Sequence, residues 1–203
     1  MPKENYEIVR SDNLKYEELE KVGYTLVATS WGAHLDTQND FDMDNLKKRI
    51  ESCRKNGYRL EMLGAGYAQK ILDLEILNNP HYPQTPATAH GMPTIETTLA
   101  LFKPNSWTFG AFKNDELIGV CATSKRSDRT EIDFGSVHPE HRGYGVGIGV
   151  AAYAILALIE LGEHKFGTGG AEVNSASRTT VQKLGFSVDE IWNTYLKKPD
   201  LYT

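Results

Sequence analysis

The sequence predicts an α/β protein, a mixed sheet with helices on both faces, and three observations carry that expectation. The first is the stretch Glu131 to Gly162, EIDFGSVHPEHRGYGVGIGVAAYAILALIELG, which reads as a short strand, a glycine-rich turn and an apolar helix. The second is the order of patterns from Tyr58 onward: a strand, two helices, three strands, a helix, a strand, a helix and two final strands. The third is composition. At 203 residues, 40% hydrophobic and 24% charged, the chain suits one globular domain, or a domain with an extension, and can bury a sizeable core.

Near the start, YEIVRSDNLKYEELEKVGYTLVATSWGAHL reads as a strand, a polar N-cap, a short helix stopped by glycine, then one or two strands. The same plan recurs at the other end of the chain. Asp12 to Tyr24 and Asn174 to Phe186 have equal length, and end Glu-Lys-Val-Gly-Tyr against Gln-Lys-Leu-Gly-Phe. After one gap, Trp31 and Leu35 align with Trp192 and Leu196. Residues 1–40 are therefore expected to be a partial repeat, an extension whose role is packing. Coincidence is the competing reading, because helix-Gly-aromatic endings are common. Residues 41–57 follow as a linker helix, FDMDNLKKRIESCRKNG, with Leu46, Ile50 and Cys53 as its apolar stripe, aspartates ahead and Gly57 behind.

The main domain is expected to span 58–203. It opens with a strand at Tyr58 to Leu63 and a helix at Tyr67 to Leu77, with Ile71, Leu74 and Leu77 on one side. Residues 79–93, NPHYPQTPATAHGMP, hold four of the eight prolines together with His81, Tyr82 and His90, and show no helical or strand period. Two readings of this loop stand side by side: a wall of a binding cleft, or a surface loop that only packs. A helix near Thr94 to Phe102 leads to a hairpin, Trp107 to Phe112 and Leu117 to Ser124, joined by Lys113 to Glu116. Arg129 to Val137 is the next strand.

In the central stretch, Ile132, Phe134 and the β-branched Val137 suit a strand buried on at least one face, and Pro139 should end it. Gly143, Gly145, Gly147 and Gly149 then alternate into the helix. A strand, a glycine turn and the unpaired amides of a helix start make an anion site, most often for phosphate. Arg142 adds a planar cation suited to phosphate oxygens. Two nucleotide motifs are excluded. G-x-G-x-x-G fails because Ile148 and Val150 stand where the third glycine belongs, and no lysine follows the glycines as a P-loop requires.

VHPEHRGYGVG resembles the acetyl-CoA loop of the GNAT acyltransferase superfamily, with Arg142, Gly145 and Gly147 at its three specified places. NSASRTTVQKLGF resembles the superfamily's asparagine-led helix ending in Leu-Gly-Phe. The resemblance covers roughly residues 58–203 and implies the GNAT fold, a mixed, mostly antiparallel sheet flanked by helices. It makes residues 1–40 look like the trailing half of a second repeat, as in tandem members, and it assigns the proline loop to the acceptor side.

It further implies acetyl-CoA as co-substrate and transfer of the acetyl group to a primary amine of a small molecule or peptide, by direct attack in a ternary complex. The cofactor contacts it implies are Ser136 and Val137 on the strand, Arg142, Gly143, Tyr144, Gly145, Val146 and Gly147 in the loop, and Asn174, which is also a plain N-cap. An alkylammonium must lose a proton before it attacks. Glu131, six residues before Val137, is the first candidate base by resemblance to the superfamily's histone acetyltransferases. Asp133 stands on the same strand face, and paired carboxylates raise the pKa of at least one. A solvent-facing strand end beside Arg129 is the structural reading of both. Many members carry a tyrosine seven residues after the asparagine, to protonate the leaving thiolate, but Val181 stands here. Ser177, Thr180 or a water are the remaining candidates; Tyr144 and Tyr153 are poorly placed, and His138 and His141 read as structural.

The net charge of −5 without a basic run argues against a nucleic-acid partner. Nothing has metal-ligand spacing, so no metal is expected. The apolar run Val146 to Ile159 is shorter than the roughly 20 residues a membrane span needs. Met1 is followed by PKENYE rather than a signal sequence, and two cysteines are too few for a disulfide framework, so a cytoplasmic protein without a membrane partner is expected. Two alternatives stay open: a non-catalytic CoA-binding module, and a homodimeric scaffold using the strands of residues 1–36.

Overall fold

The computed structural model describes residues 5–86 and 91–197; His90 of the proline loop lies outside them. Eight strands form one sheet: β1 (Asn5–Arg10), β2 (Tyr24–Asp36), β3 (Arg59–Leu63), β4 (Ser106–Lys113), β5 (Glu116–Lys125), β6 (Thr130–Val137), β7 (Lys165–Ala171) and β8 (Ser187–Lys197). Six α-helices accompany them: α1 (Lys15–Lys21), α2 (Met43–Lys55), α3 (Ala68–Asn78), α4 (Ile95–Leu99), α5 (Val146–Glu160) and α6 (Ser175–Lys183). The sheet is mixed and mostly antiparallel, as expected; only β6 and β7 run parallel.

Local chemistry explains most boundaries. Asp42 caps α2 by accepting from the Asn45 amide at 3.0 Å, and Leu46, Ile50 and Cys53 are its buried stripe. Thr94 and Thr97 form a capping box at α4, and Ala100–Phe102 tightens into a 3₁₀ turn. The β4–β5 hairpin turns through Asn114 and Asp115 at φ of 50° and 62°, the left-handed pair that a two-residue hairpin demands. One stripe differs from expectation. Leu77 is 44% exposed, and Asn78 takes the inward position beside Ile71 and Leu74.

The strand order is β1-β8-β2-β7-β6-β5-β4-β3. β2, from the first forty residues, therefore lies inside the sheet between β7 and β8. Trp31 is 1% exposed there, its Nε1 donating to the Ala171 carbonyl at 3.3 Å. Where two closing strands were expected after α6, the described residues hold one long strand, β8. The place beside β7 is filled by β2 instead.

Apolar residues gather on both sheet faces. Ile71 and Leu74 of α3 pack on Leu63, Phe112 and Val120. On the opposite face α2, α5 and α6 share a larger core with Trp31, Phe109, Cys121 and Phe166. The α2–α5 contact is close: a Cβ on Gly149 would lie 2.5 Å from the Cys53 Cβ and 2.7 Å from its Sγ. Gly149→Ala gains roughly 1 kcal/mol of helix propensity, but overpacking costs about 1–3 kcal/mol. The clash is with a Cβ held by its own helix, so the midpoint of urea unfolding should fall; a raised midpoint would mean the helices part freely.

Candidate functional site

The site begins where β6 and β7 part. Their ladder ends after Thr130↔Phe166 and Glu131↔Gly167, and beyond it a cavity of about 570 Å³ opens between the strands. Ile132 to Val137 of β6 form one wall, and Thr168 and Gly169 of β7 another. The loop after β6 and the α6 face at Asn174, Ser177 and Thr180 complete it. A smaller hollow of about 270 Å³ between α3 and β5, around Lys70, Asp73 and Glu116, contains none of the expected site residues.

Pro139–His141 make a 3₁₀ turn, and Gly143 and Gly145 take φ of 84° and 80°, which bends the chain into α5. The helical ladder of α5 begins with the Gly149 amide donating to the Gly145 carbonyl at 2.9 Å. Among the described residues, the amides of Gly143 to Ile148 have no acceptor. Such a set at a helix start fits a diphosphate.

Arg142 does not extend over this loop. Its Nε donates to the Val137 carbonyl at 3.2 Å and its Nη2 donates to Asn78 Oδ1. Both acceptors are neutral, so its positive charge still acts beside the loop while its position is fixed. Asn78, 1% exposed, also donates to Ser136 Oγ at 2.8 Å. Tyr82, which lines the cavity with Ser136, donates its hydroxyl to Glu75 at 3.2 Å. Polar contacts of α3 thus reach both the glycine loop and the proline loop, and burial pushes the Tyr82 hydroxyl well above the usual phenol range. Sequence reasoning passed over Asn78. An asparagine spaced seven and four residues from Ile71 and Leu74 on a buried stripe was the available signal.

Ten expected residues line the cavity: Asp133, Ser136, Val137, Arg142, Gly143, Gly145, Val146, Gly147, Asn174 and Ser177. Tyr144 does not; its ring is exposed, and its carbonyl accepts from Asn56 Nδ2 at 3.0 Å. Asn174 caps α6, accepting from the Ser177 amide at 3.2 Å, and faces the cavity as well. His141 is held by the Tyr58 hydroxyl at 2.9 Å, and the Glu140 amide donates to His138 at 3.3 Å.

The two carboxylates part company. Glu131 lies over Gly167, where a Cβ would come within 2.5 Å of its Oε1, and Arg129 Nε donates to it at 2.5 Å. It does not line the cavity. Asp133 does, because the β5–β6 register shifts between Ala122↔Phe134 and Thr123↔Ile132 and leaves Asp133 as the extra residue of a bulge. Ser124 Oγ donates to Asp133 at 3.0 Å and Arg126 pairs with it at 3.1 Å. Burial nevertheless raises its pKa, with the Glu131 charge adding to the rise against those two partners. Cys121, at the cavity floor, has its thiol pushed up to about 12 by burial.

The GNAT acetyltransferase family matches residues 70–186. The chain belongs to this family. Its sheet is the GNAT sheet, and the motif at Arg142, Gly145 and Gly147 falls inside the matched region. No curated protein matches the sequence. Solved structures agree in fold. A GCN5-related N-acetyltransferase from Sphaerobacter thermophilus superposes with a TM-score of 0.70 at 12% identity, covering 97% of this chain and 60% of that one. A tandem GNAT protein from the clavulanic acid biosynthesis pathway gives 0.62 at 17%, over 96% of this chain and 64% of its own. An aminoglycoside acetyltransferase from an uncultured soil metagenomic sample, solved with sisomicin, gives 0.53 at 15%, over 64% of this chain and 88% of its own.

Proposed function

We propose that this GNAT protein is an acetyl-CoA-dependent N-acetyltransferase acting on a primary amine of a small molecule or peptide. The observation that carries the reading is the meeting, in one cavity, of a helix start with unpaired amides and the carboxylate of Asp133. The amides of 143–148 fit the diphosphate of coenzyme A, and the strand edge left free by the β6–β7 split fits its pantetheine arm. Bound there, acetyl-CoA supplies an activated thioester. Asp133 would take a proton from the ammonium, the amine would attack the carbonyl carbon to form the C–N bond, and the C–S bond would break, with the proton then lost by the new amide nitrogen passing to the thiolate through Ser177, Thr180 or a water. An acyl-cysteine route is disfavoured, since Cys121 is almost wholly thiol at neutral pH. Direct attack in a ternary complex needs no such thiolate.

Arg142→Glu tests the loop. Replacing the brace between Val137 and Asn78 with an anion should weaken acetyl-CoA binding at least about a hundredfold by calorimetry; unchanged affinity would overturn the loop assignment. An amine panel with detection of released thiol tests transfer, and binding without turnover on any amine would favour a CoA-binding module, the reading that Val181 in place of tyrosine supports.

The same proposal takes residues 1–40 as a partial repeat. Exchanging β1 with β7 and β2 with β8 turns the order β1-β8-β2-β7 into its own reverse, and the pairs Ser30↔Trp192 and Trp31↔Ile191 sit about the centre of that exchange. It places the protein in the cytoplasm, where two free buried thiols are stable, with no nucleic acid or membrane among its partners. Among the described residues no helix is long and apolar enough to cross a membrane. A homodimer would pair through β1, the sheet edge, whose Tyr6 and Ile8 are exposed.

A further inference from the structure

Helix α2 precedes the region that the family matches, yet its ends are bonded to the glycine loop and to the end of α6. Asn45 Nδ2 donates to the Lys183 carbonyl at the end of α6 at 2.8 Å, and Asn56 Nδ2 donates to the Tyr144 carbonyl in the glycine loop at 3.0 Å. At about 100° per residue, positions 45, 49 and 56 fall within about 40° of one another on the helix surface. Arg49 therefore stands on the same stripe, between the two asparagines, facing the gap between α6 and the loop. Its carbonyl lies 3.6 Å from where a Gly149 Cβ would be, on the first turn of α5. Its Nε is buried and has no hydrogen-bond partner among the described residues. Lys183 lines the cavity from the other side and is exposed. None of the ion pairs among the described residues involves Arg49 or Lys183.

A buried guanidinium nitrogen without an acceptor costs free energy unless something supplies one. A second cation across the same gap makes that something an anion. Coenzyme A carries phosphate in two places, the central diphosphate and the 3′-phosphate on its ribose. The amides of 143–148 and the charge of Arg142 serve the first. With the thiol end running inward along β6 toward Asp133, the nucleotide end would leave the cavity past Lys183, whose carbonyl is bonded to Asn45 of α2. We propose that Arg49 of α2 and Lys183 of α6 form the site for the ribose 3′-phosphate. The helix outside the family's matched region thus selects coenzyme A over cofactors lacking that group, an inference that rests on the acetyl-CoA reading above.

Calorimetric titration with coenzyme A and with 3′-dephospho-coenzyme A tests it. Wild type should bind coenzyme A about tenfold or more tighter than the dephospho form, as charge-assisted hydrogen bonds to phosphate allow. Arg49→Gln should lose that preference while holding the dephospho form as wild type does, and Lys183→Gln should reduce it. Lys48→Gln, next to Arg49 on the same helix, should leave the ratio unchanged. Equal affinity for both forms in wild type, a preference retained in Arg49→Gln, or an equal loss for both forms would overturn the site and leave the acetyl-CoA reading standing. Binding of neither form by wild type would overturn both.

Discussion

Asp133→Asn should lower turnover with an accepted amine about 10²–10⁴-fold, the range typical for loss of a general base. Glu131→Gln, six residues before Val137 and the residue that family resemblance favours, should cost far less, because its carboxylate is engaged by Arg129 outside the cavity. The two variants, assayed with saturating acetyl-CoA, decide between the carboxylates: a larger loss in Glu131→Gln would return the base to that position. The pKa of Asp133 adds a check on pH. Burial raises it, so the acid limb of the rate profile should lie above the ordinary carboxyl range. The sign for stability is opposite to that for catalysis. A carboxyl whose folded pKa is raised contributes stability below its unfolded pKa and loses it as pH rises through the folded value. Asp133→Asn should therefore melt no lower than wild type at about pH 7, and lose that advantage below about pH 4. A base that is kept at a cost to stability is the expected mark of a functional residue. A lower melting temperature at neutral pH would show that the bonds from Ser124 and Arg126 outweigh the burial.

Removal of residues 1–40 should abolish folding, not trim an appendage. β2 pairs along β7 from Ser30 to Asp36 and along β8 from Tyr24 to His34, so its loss opens two long strand edges at once. It also removes Trp31, Ala33 and Leu35 from the main core. The chain from residue 41 onward should be insoluble, or lack a cooperative unfolding transition by circular dichroism. Trp31→Ala, a gentler probe in the intact chain, should cost about 3–5 kcal/mol in urea unfolding, the usual range for a large aromatic lost from a core. A soluble 41–203 chain that melts cooperatively would show that β7 and β8 close up without β2.

Much of this protein was legible in its order of residues. The glycine loop, the apolar helix behind it, the capped helices α2, α4 and α6, and the β4–β5 hairpin announce themselves through signals a few residues long. Pro139, Thr94, Asp42, Asn174 and the Asn114–Asp115 turn each act on their immediate neighbours. Ten of the residues expected at the site line one cavity, because motif spacing places them on a single strand, loop and helix face. The inward face of α3 was not legible in this way. Leu77 and Asn78 are adjacent, and only the packing of α3 against Ser136 and Arg142 decides that the asparagine turns inward.

The sequence by itself determined the elements, the glycine loop and the family, since hydrophobic period, caps and left-handed glycines are local and need no partner to be read. The tertiary structure alone decided three things. It placed β2 inside the sheet, it set the bulge that turns Asp133 rather than Glu131 into the cavity, and it docked α2 on α5 with its ends bonded to the glycine loop and to the end of α6. Strand order, register shifts and helix docking are settled by backbone pairing and close packing between segments far apart in the chain, and no single segment carries a signal for its partner.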